Sequence, residues 1–162
     1  IEENPVDVIH MHEVLEHLPN PIESLTILKK ILKPDGLICI LSPNDYNPLQ
    51  NIVQKKSNVN PWWVGPPTHM NYFNLNGIKN LFKKTGFELI ESTTTFPLEF
   101  FLLMGDNYLG DDKKGREIHE KRKKFEAFFH ESGQDKLRKN IYKSLSQLGL
   151  GREFIVIGKI KQ

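Results

Sequence analysis

Two short apolar runs near the start of the chain have the length and composition of buried β-strands. They extend from Val6 to Met11 and from Leu37 to Leu41, and such runs are typical of strands covered on both faces. Between them, Asn20 can cap a helix, Pro21 suits its first position, and the turn at Pro34 to Gly36 ends it. Strand, helix and strand in this order predict a βαβ unit within a mainly parallel sheet.

The rest of the chain contains further predicted elements and one long connection. Residues 45–74 are rich in proline and show little periodicity, which favours an irregular connection. A helix is predicted from Leu75 to Thr85, where apolar residues recur at helical spacing before Gly86. The segments Phe87 to Thr94 and Phe154 to Ile160 are strand-like, and we expect them to pair antiparallel at one edge of the sheet.

Residues 96–151 separate these last two strands and are predicted to form a helical insertion, with a helix pair from about Gly115 to Leu148. Each helix carries one apolar stripe, formed by Ile118, Phe125 and Phe129 on the first and by Leu137, Ile141 and Leu145 on the second. Two surface helices that close a hydrophobic seam would show this pattern. A lid over a substrate, or an interface with a second copy of the chain, would show it as well.

The composition fits one soluble globular domain. Of the 162 residues, 38% are hydrophobic and 26% are charged, and the formal net charge is only +2. Acidic residues interrupt the basic run from Lys113 to Lys124, so we expect no nucleic-acid partner. The apolar run from Phe96 to Met104 is too short to span a membrane, and we expect no membrane partner.

Cysteine usage and the ends of the chain complete this first picture. Cys39 is the single cysteine, which excludes an intrachain disulfide and favours a buried thiol in a reducing compartment. With no secretory signal in the sequence, we expect a cytoplasmic protein. The chain begins with Ile1 and goes almost directly into a strand, so we expect a fragment or a processed product.

Two motifs carry most of the functional information. The first, Val-Asp-Val-Ile-His-Met-His-Glu-Val-Leu-Glu-His-Leu-Pro-Asn-Pro, covers residues 6–21. The second, Leu-Lys-Pro-Asp-Gly-Leu-Ile, covers residues 32–38 and is followed by Ser42-Pro43-Asn44. Together they resemble the segments that follow the fourth strand and precede the fifth strand of class I S-adenosylmethionine-dependent methyltransferases, in particular those that act on small molecules. The order of elements extends this resemblance to Glu91.

The resemblance implies a Rossmann-like, doubly wound and mainly parallel sheet with an antiparallel C-terminal hairpin. Residues 1–162 would then form a partial methyltransferase domain that begins near the fourth strand and lacks the N-terminal strands. The glycine-rich turn that binds the methionine part of the cofactor follows the first strand in this family, and the present sequence contains no such turn before a helix. We therefore expect weak cofactor affinity from this chain alone.

The resemblance also assigns S-adenosylmethionine as cofactor and suggests which residues contact it. Ligands of open α/β sheets bind at the carboxyl ends of the strands, where His10, Met11, His12 and Glu13 end the first strand. By analogy they line the adenine and methionine side of the cofactor. The structural alternatives are that Met11 belongs to the core and that His10 is a polar residue satisfied locally.

Candidate catalytic residues follow from what methyl transfer requires. A small-molecule acceptor with an oxygen or nitrogen nucleophile must lose a proton, and histidine suits that task near neutral pH. His17 lies at a helix entry, and His69 lies in a Pro-x-x-His-x-x-x-Phe segment that faces the acceptor in similar methyltransferases. Each could instead fix local backbone. Tyr72, with Trp62 and Trp63, either walls an acceptor pocket or anchors the long loop.

Three other interpretations are open. The cluster of His10, His12, Glu13, Glu16 and His17 resembles a metal-binding set, but His12 and His17 are spaced by five residues, whereas zinc proteases require His-Glu-x-x-His, so we expect no metal. A degenerate, non-catalytic methyltransferase-like module that serves as a scaffold is the main alternative function. A nicotinamide-dependent dehydrogenase would share the Rossmann-like architecture, but such an enzyme would not account for the motifs at residues 6–21 and 32–38.

If the chain begins near the fourth strand, as the resemblance implies, a physical consequence is expected. The strand from Val6 to Met11 would present an open apolar edge, a feature that proteins usually cover. We therefore expect homo-oligomerisation through the sheet edge or the helical insertion, or else pairing with an upstream segment.

Overall fold

A four-stranded mixed sheet forms the core of the structure, a computed structural model that describes residues 4–161. The strands are β1 (Val6–His12), β2 (Leu32–Pro43), β3 (Phe87–Thr94) and β4 (Glu153–Ile160), in the spatial order β1-β2-β4-β3. β1 and β2 are parallel, whereas β4 is antiparallel to both of its neighbours. The α/β class and the Rossmann-like arrangement predicted from the sequence are confirmed.

In the part of the chain that the structure describes, the strands are connected by six α-helices and one 3-10 turn, Leu15–His17. The helices are α1 (Pro21–Ile31), α2 (Pro48–Ser57), α3 (Leu75–Thr85), α4 (Glu99–Leu103), α5 (Asp112–Glu131) and α6 (Asp135–Gln147). Within residues 4–161, none of these helices has both the length and the apolar character needed to cross a membrane.

The predicted βαβ unit is present and begins its helix as expected. The Asn20 side chain accepts a hydrogen bond from the Glu23 amide at 3.2 Å, and Pro21 occupies the first helical position. Leu25 of α1 is fully buried against the sheet, together with Ile38 and Ile40 of β2. β1 and β2 therefore end side by side, and the residues that follow them share one edge of the sheet.

The long connection contains a helix that the sequence analysis did not predict. α2 begins with a capping box in which the Asn47 side chain accepts from the Gln50 amide at 3.0 Å, while the Gln50 side chain accepts from the Asn47 amide at 3.2 Å. Pro48 occupies its first turn. These start signals are local and were visible in the sequence, but the proline-rich surroundings outweighed them.

The C-terminal strands pair as predicted. β3 and β4 are antiparallel neighbours at one edge of the described sheet, with β3 outermost and β4 between β2 and β3. Phe154 and Val156 of β4 are buried in the main core.

The segment between β3 and β4 is helical, as predicted, and has a small core of its own. That core contains Phe96, Leu98, Phe101, Ile118 and Tyr142. α6 packs against β3, and Lys143 forms an ion pair with Glu91 at 2.9 Å. α6 therefore covers part of the sheet and also packs against α5.

A buried polar network follows the carboxyl end of β2. The Asn44 side chain donates to the carbonyl groups of Gly149 and Gly151 at 2.9 and 3.1 Å, which fixes the turn before β4. Asp45 is also buried, and burial raises its pKa to about 7 against the opposing charge of Arg152. The Asn44 hydrogen bonds thus join the carboxyl end of β2 to the turn before β4.

Replacing Gly151 by alanine should destabilise the fold strongly. Its φ is +124°, and an added Cβ would overlap the side chain of Thr94. We expect a loss of about 3 kcal/mol in the free energy of unfolding, measured by urea denaturation. Gly149→Ala is the matched control: its φ is +73° with open space around it, so it should lose only about 1 kcal/mol. Equal losses for both variants would contradict this assignment.

Asp45→Asn should stabilise the chain at alkaline pH. The pKa of Asp45 lies near 7 in the folded chain and near 3.8 when unperturbed, so the folded state retains a proton that the unfolded state releases. The carboxyl therefore lowers stability progressively as pH rises through that window. The variant should gain on the order of 2–4 kcal/mol above pH 8 and little near pH 4. Urea denaturation across pH tests this, and a gain that does not vary with pH would contradict it.

Candidate functional site

The carboxyl ends of β1 and β2 define the edge at which a site can form. His12 pairs with Leu41 in the parallel register, and the Glu13 amide donates to the Leu41 carbonyl at 2.9 Å. Glu13 has a φ of +52°, so the chain changes direction there, immediately before the 3-10 turn. The predicted site residues of β1 are therefore close to the end of β2.

The four residues predicted to contact the cofactor divide between two faces. Met11 is only 6% exposed and belongs to the main core, as the structural alternative required. His10 and His12 are exposed on the other face, with ring centroids 6.1 Å apart. The two imidazoles and the exposed Glu13 are thus available to a ligand, whereas the Met11 side chain supports the strand.

Glu16 connects three segments at this edge. Its side chain is buried, with 1% of the residue exposed, and Oε2 accepts from the Ser42 hydroxyl at 2.8 Å. Its backbone carbonyl accepts from the amides of Met70 and Asn71 at 2.9 and 3.0 Å. The end of β2 and the loop before α3 are therefore both attached to the turn after β1.

This attachment brings His17 and His69 together. Their ring centroids are 4.9 Å apart in an edge-to-face arrangement. Nδ1 of His17 lies 2.7 Å from the Thr68 carbonyl, so this nitrogen carries the proton and donates. Nε2 of His17 lies 3.7 Å from Oε1 of Glu16. Glu16, His17 and His69 each offer one atom able to bind a metal, and these atoms lie within 4.8 Å of one another.

Tyr72 has a defined role in the same loop. Its hydroxyl donates to the His69 carbonyl at 3.1 Å and accepts from the Gly65 amide at 3.2 Å. Its ring lies 6.3 Å from that of Tyr46, which also contacts the buried Trp63 edge-to-face at 5.4 Å. These aromatic residues anchor the loop, which is one of the two interpretations that the sequence left open.

Trp62 points to a different part of the structure. It lines a cavity of about 300 Å³ with Leu98, Tyr108, His119 and Arg152. The helical segment between β3 and β4 therefore adjoins the loop that carries His69.

Sequence reasoning did not assign a role to Ser42 or Asp45. In the sequence, Ser42 belongs to the Ser42-Pro43-Asn44 segment that follows the second motif. No local signal indicates that its hydroxyl donates to Glu16, which lies 26 positions away. Asp45 looked like an ordinary loop residue, yet it is buried, and the charges of Glu16 and Glu99 contribute to its raised pKa.

Comparisons with known proteins agree with this geometry. A sequence model described as a methyltransferase domain matches residues 2–92, which is more than half of the chain. An uncharacterized methyltransferase of Schizosaccharomyces pombe is 40% identical over 37 residues, a stretch that covers 23% of this chain and 13% of that protein.

Two solved structures share the fold at low sequence identity. One is from the complex between the Haloferax volcanii Trm112 methyltransferase activator and a candidate methyltransferase, with a TM-score of 0.54 and 13% identity. The other is a SAM-dependent methyltransferase from Archaeoglobus fulgidus, with a TM-score of 0.52 and 15% identity. These matches cover 99% and 98% of this chain but only 56% and 61% of the other two.

The matched region extends from β1 to β3 and includes both motifs that suggested the family. It contains the strand ends, the turn with Glu16 and His17, and the loop with His69. The resemblance to class I methyltransferases is thereby confirmed, and the chain belongs to the methyltransferase domain family.

Proposed function

We propose that this chain is the acceptor-side part of an S-adenosylmethionine-dependent methyltransferase that methylates a small molecule. The observation that carries the proposal is the convergence of His17 and His69 beside the carboxyl end of β1 in a methyltransferase-family domain. Ligands of open α/β sheets bind at this edge.

The residues at the end of β1 fit one side of a cofactor site. His10 and His12 offer exposed imidazoles on one face, and β1 is an edge strand of the described sheet. These groups and Glu13 would hold the adenosine side, while the buried Met11 keeps the strand in position. Bound S-adenosylmethionine supplies a methyl group on a positively charged sulfur, ready for in-line displacement.

The acceptor side requires a proton acceptor and a restricted space. Nδ1 of His17 donates to Thr68, so Nε2 is the nitrogen left to take a proton from the nucleophile. His69 lies beside it on a loop fixed by Tyr72. We further propose that the aromatic cluster of Tyr72, Tyr46 and Trp63 limits the space next to His69, which would favour a small acceptor over a polymer.

The helical segment at residues 96–151 is proposed to be an insertion that limits access to the acceptor. Its support is the cavity shared by Trp62, Leu98 and His119, because it places this segment beside the His69 loop. We further propose that the exposed edge of β1, where Val8 is 57% exposed, pairs with an upstream strand or with a second copy.

Cofactor binding is tested by calorimetric titration with S-adenosylhomocysteine, on this chain and on a version extended upstream in its gene. We expect tighter binding by the extended version. His12→Ala should weaken its affinity about fivefold, because one hydrogen bond contributes about 1 kcal/mol. His130→Ala, which changes an exposed histidine of α5, is the matched control and should have no effect. An extended version that binds nothing would favour the non-catalytic scaffold.

The acceptor class is tested by incubating the extended protein with a cell extract and methyl-labelled S-adenosylmethionine. We expect the label in the small-molecule fraction, and His17→Gln should reduce transfer about 100-fold, because it removes the proposed proton acceptor. Label confined to protein or RNA would contradict a small-molecule acceptor.

A further inference from the structure

We propose that Glu16, His17 and His69 form a binding site for one divalent transition-metal ion, with zinc as the best fit. The proposal concerns binding by this chain and holds whether or not it transfers methyl groups. It departs from the expectation of no metal, which considered the cluster from His10 to His17 and rested on the spacing of His12 and His17. The third ligand comes from a distant loop that no local spacing rule includes.

The spacing of the three donors suits a shared ion. Their ligand atoms lie within 4.8 Å of one another, and Nε2 of His17 is 3.7 Å from Oε1 of Glu16. Ligands that share a zinc ion at about 2.0–2.2 Å lie roughly 3.4 Å apart in a tetrahedral site. The 3.7 Å between Nε2 of His17 and Oε1 of Glu16 is slightly wider than a coordinated pair, and the widest separation in the cluster, at most 4.8 Å, would have to shorten by up to about 1.4 Å when an ion binds.

The proton on His17 is already in the position that metal binding requires. Nδ1 donates to the Thr68 carbonyl at 2.7 Å, which leaves the lone pair of Nε2 directed at the cluster. Metal-binding histidines typically donate their other ring nitrogen in this way, because the hydrogen bond fixes both the tautomer and the ring orientation.

The carboxylate is held in the same manner. Ser42 donates to Oε2 of Glu16 at 2.8 Å and leaves Oε1 toward His17. The side chain is almost completely removed from water, and a carboxylate in such a position is stable only with charge compensation. A cation at the cluster would provide that compensation.

The His69 side chain contains a buried nitrogen, Nδ1, that makes no hydrogen bond among the described residues. A buried polar atom without a partner is costly, and an ion or an ion-bound water would satisfy it. The loop cannot easily move this ring away, because the Met70 and Asn71 amides both bind the Glu16 carbonyl.

The donor set selects the class of ion. Two imidazoles and one carboxylate suit zinc and similar transition metals, whereas magnesium and calcium prefer oxygen donors alone. Three protein ligands leave a coordination position open, as in catalytic zinc sites. An ion in this site would occupy Nε2 of His17, so in the metal-bound chain that nitrogen would be a ligand and not the proton acceptor. Where the acceptor is a hydroxyl compound, the ion, with its open position, would instead make that proton more acidic.

The site is tested by titrating the chelator-treated chain with Co²⁺ and following visible d–d absorption, without any methyl donor. We expect one equivalent of Co²⁺, displaced by Zn²⁺, in a tetrahedral or five-coordinate spectrum. His69→Asn and Glu16→Gln should each weaken affinity about 100-fold or more, and Ser42→Ala about tenfold. Because His69 is only half-buried, its variant carries the test even where Glu16→Gln fails to fold by circular dichroism.

His130→Asn is the matched control, since Nδ1 of His130 lies 2.8 Å from Asp135 but this exposed pair is not part of the three-residue cluster. It should bind Co²⁺ like the unchanged chain. Binding that survives His69→Asn, or a stoichiometry well above one, would overturn the proposal. Because no cofactor is present, that result would leave the methyltransferase proposal standing.

Discussion

The candidate site depends on one short turn that carries a buried carboxylate. Glu16 lies directly after β1, and its backbone carbonyl accepts from two successive amides of a loop more than 50 residues away in sequence, while its side chain accepts from the end of β2. A loop as long as the one between α2 and α3 would otherwise lose considerable conformational entropy to hold one shape. These hydrogen bonds therefore fix the relative positions of His17 and His69 before any ligand binds.

The sheet supplies the rigid support for that turn. β1 and β2 are parallel and end in register, so the turn and Ser42 emerge next to each other. β4 closes the other side of β2, and Asn44 joins the two by donating to the turn before β4. The cost of this arrangement is a set of buried polar groups, of which Asp45, with its pKa raised to about 7, is the clearest. Such groups reduce stability and are typical of functional edges.

The elements that could be predicted from sequence are those with local signals. The βαβ unit followed from two apolar runs and the Asn20 cap, and α3 followed from its helical periodicity before Gly86. The helix α2 had equally local signals in Asn47 and Gln50, but the prolines around it favoured a loop. The central place of β4 could not be predicted, because strand order depends on which faces remain to be covered.

The site itself was predictable only in part. The motifs identified His17 and His69 as candidates, but not their contact, since the hydrogen bonds that join the two segments run from backbone groups that any residue possesses. For the same reason, spacing rules along one helix could not reveal a three-residue cluster with Glu16. The burial of Met11 was one of two alternatives in the sequence, whereas the exposure of most of β1 was not expected, because an apolar run of this kind predicts burial on both faces.

The measurement that tests this account most directly is amide hydrogen exchange at Met70 and Asn71. The account predicts that both amides exchange as slowly as those of the central strands, although they lie in a loop, because each donates to the buried Glu16 carbonyl. The neighbouring amide of Val64, whose acceptor is the nearby Pro61 carbonyl, should exchange much faster. Rapid exchange at Met70 and Asn71 would show that the loop is not attached to the turn, and would contradict a site formed before ligand binding.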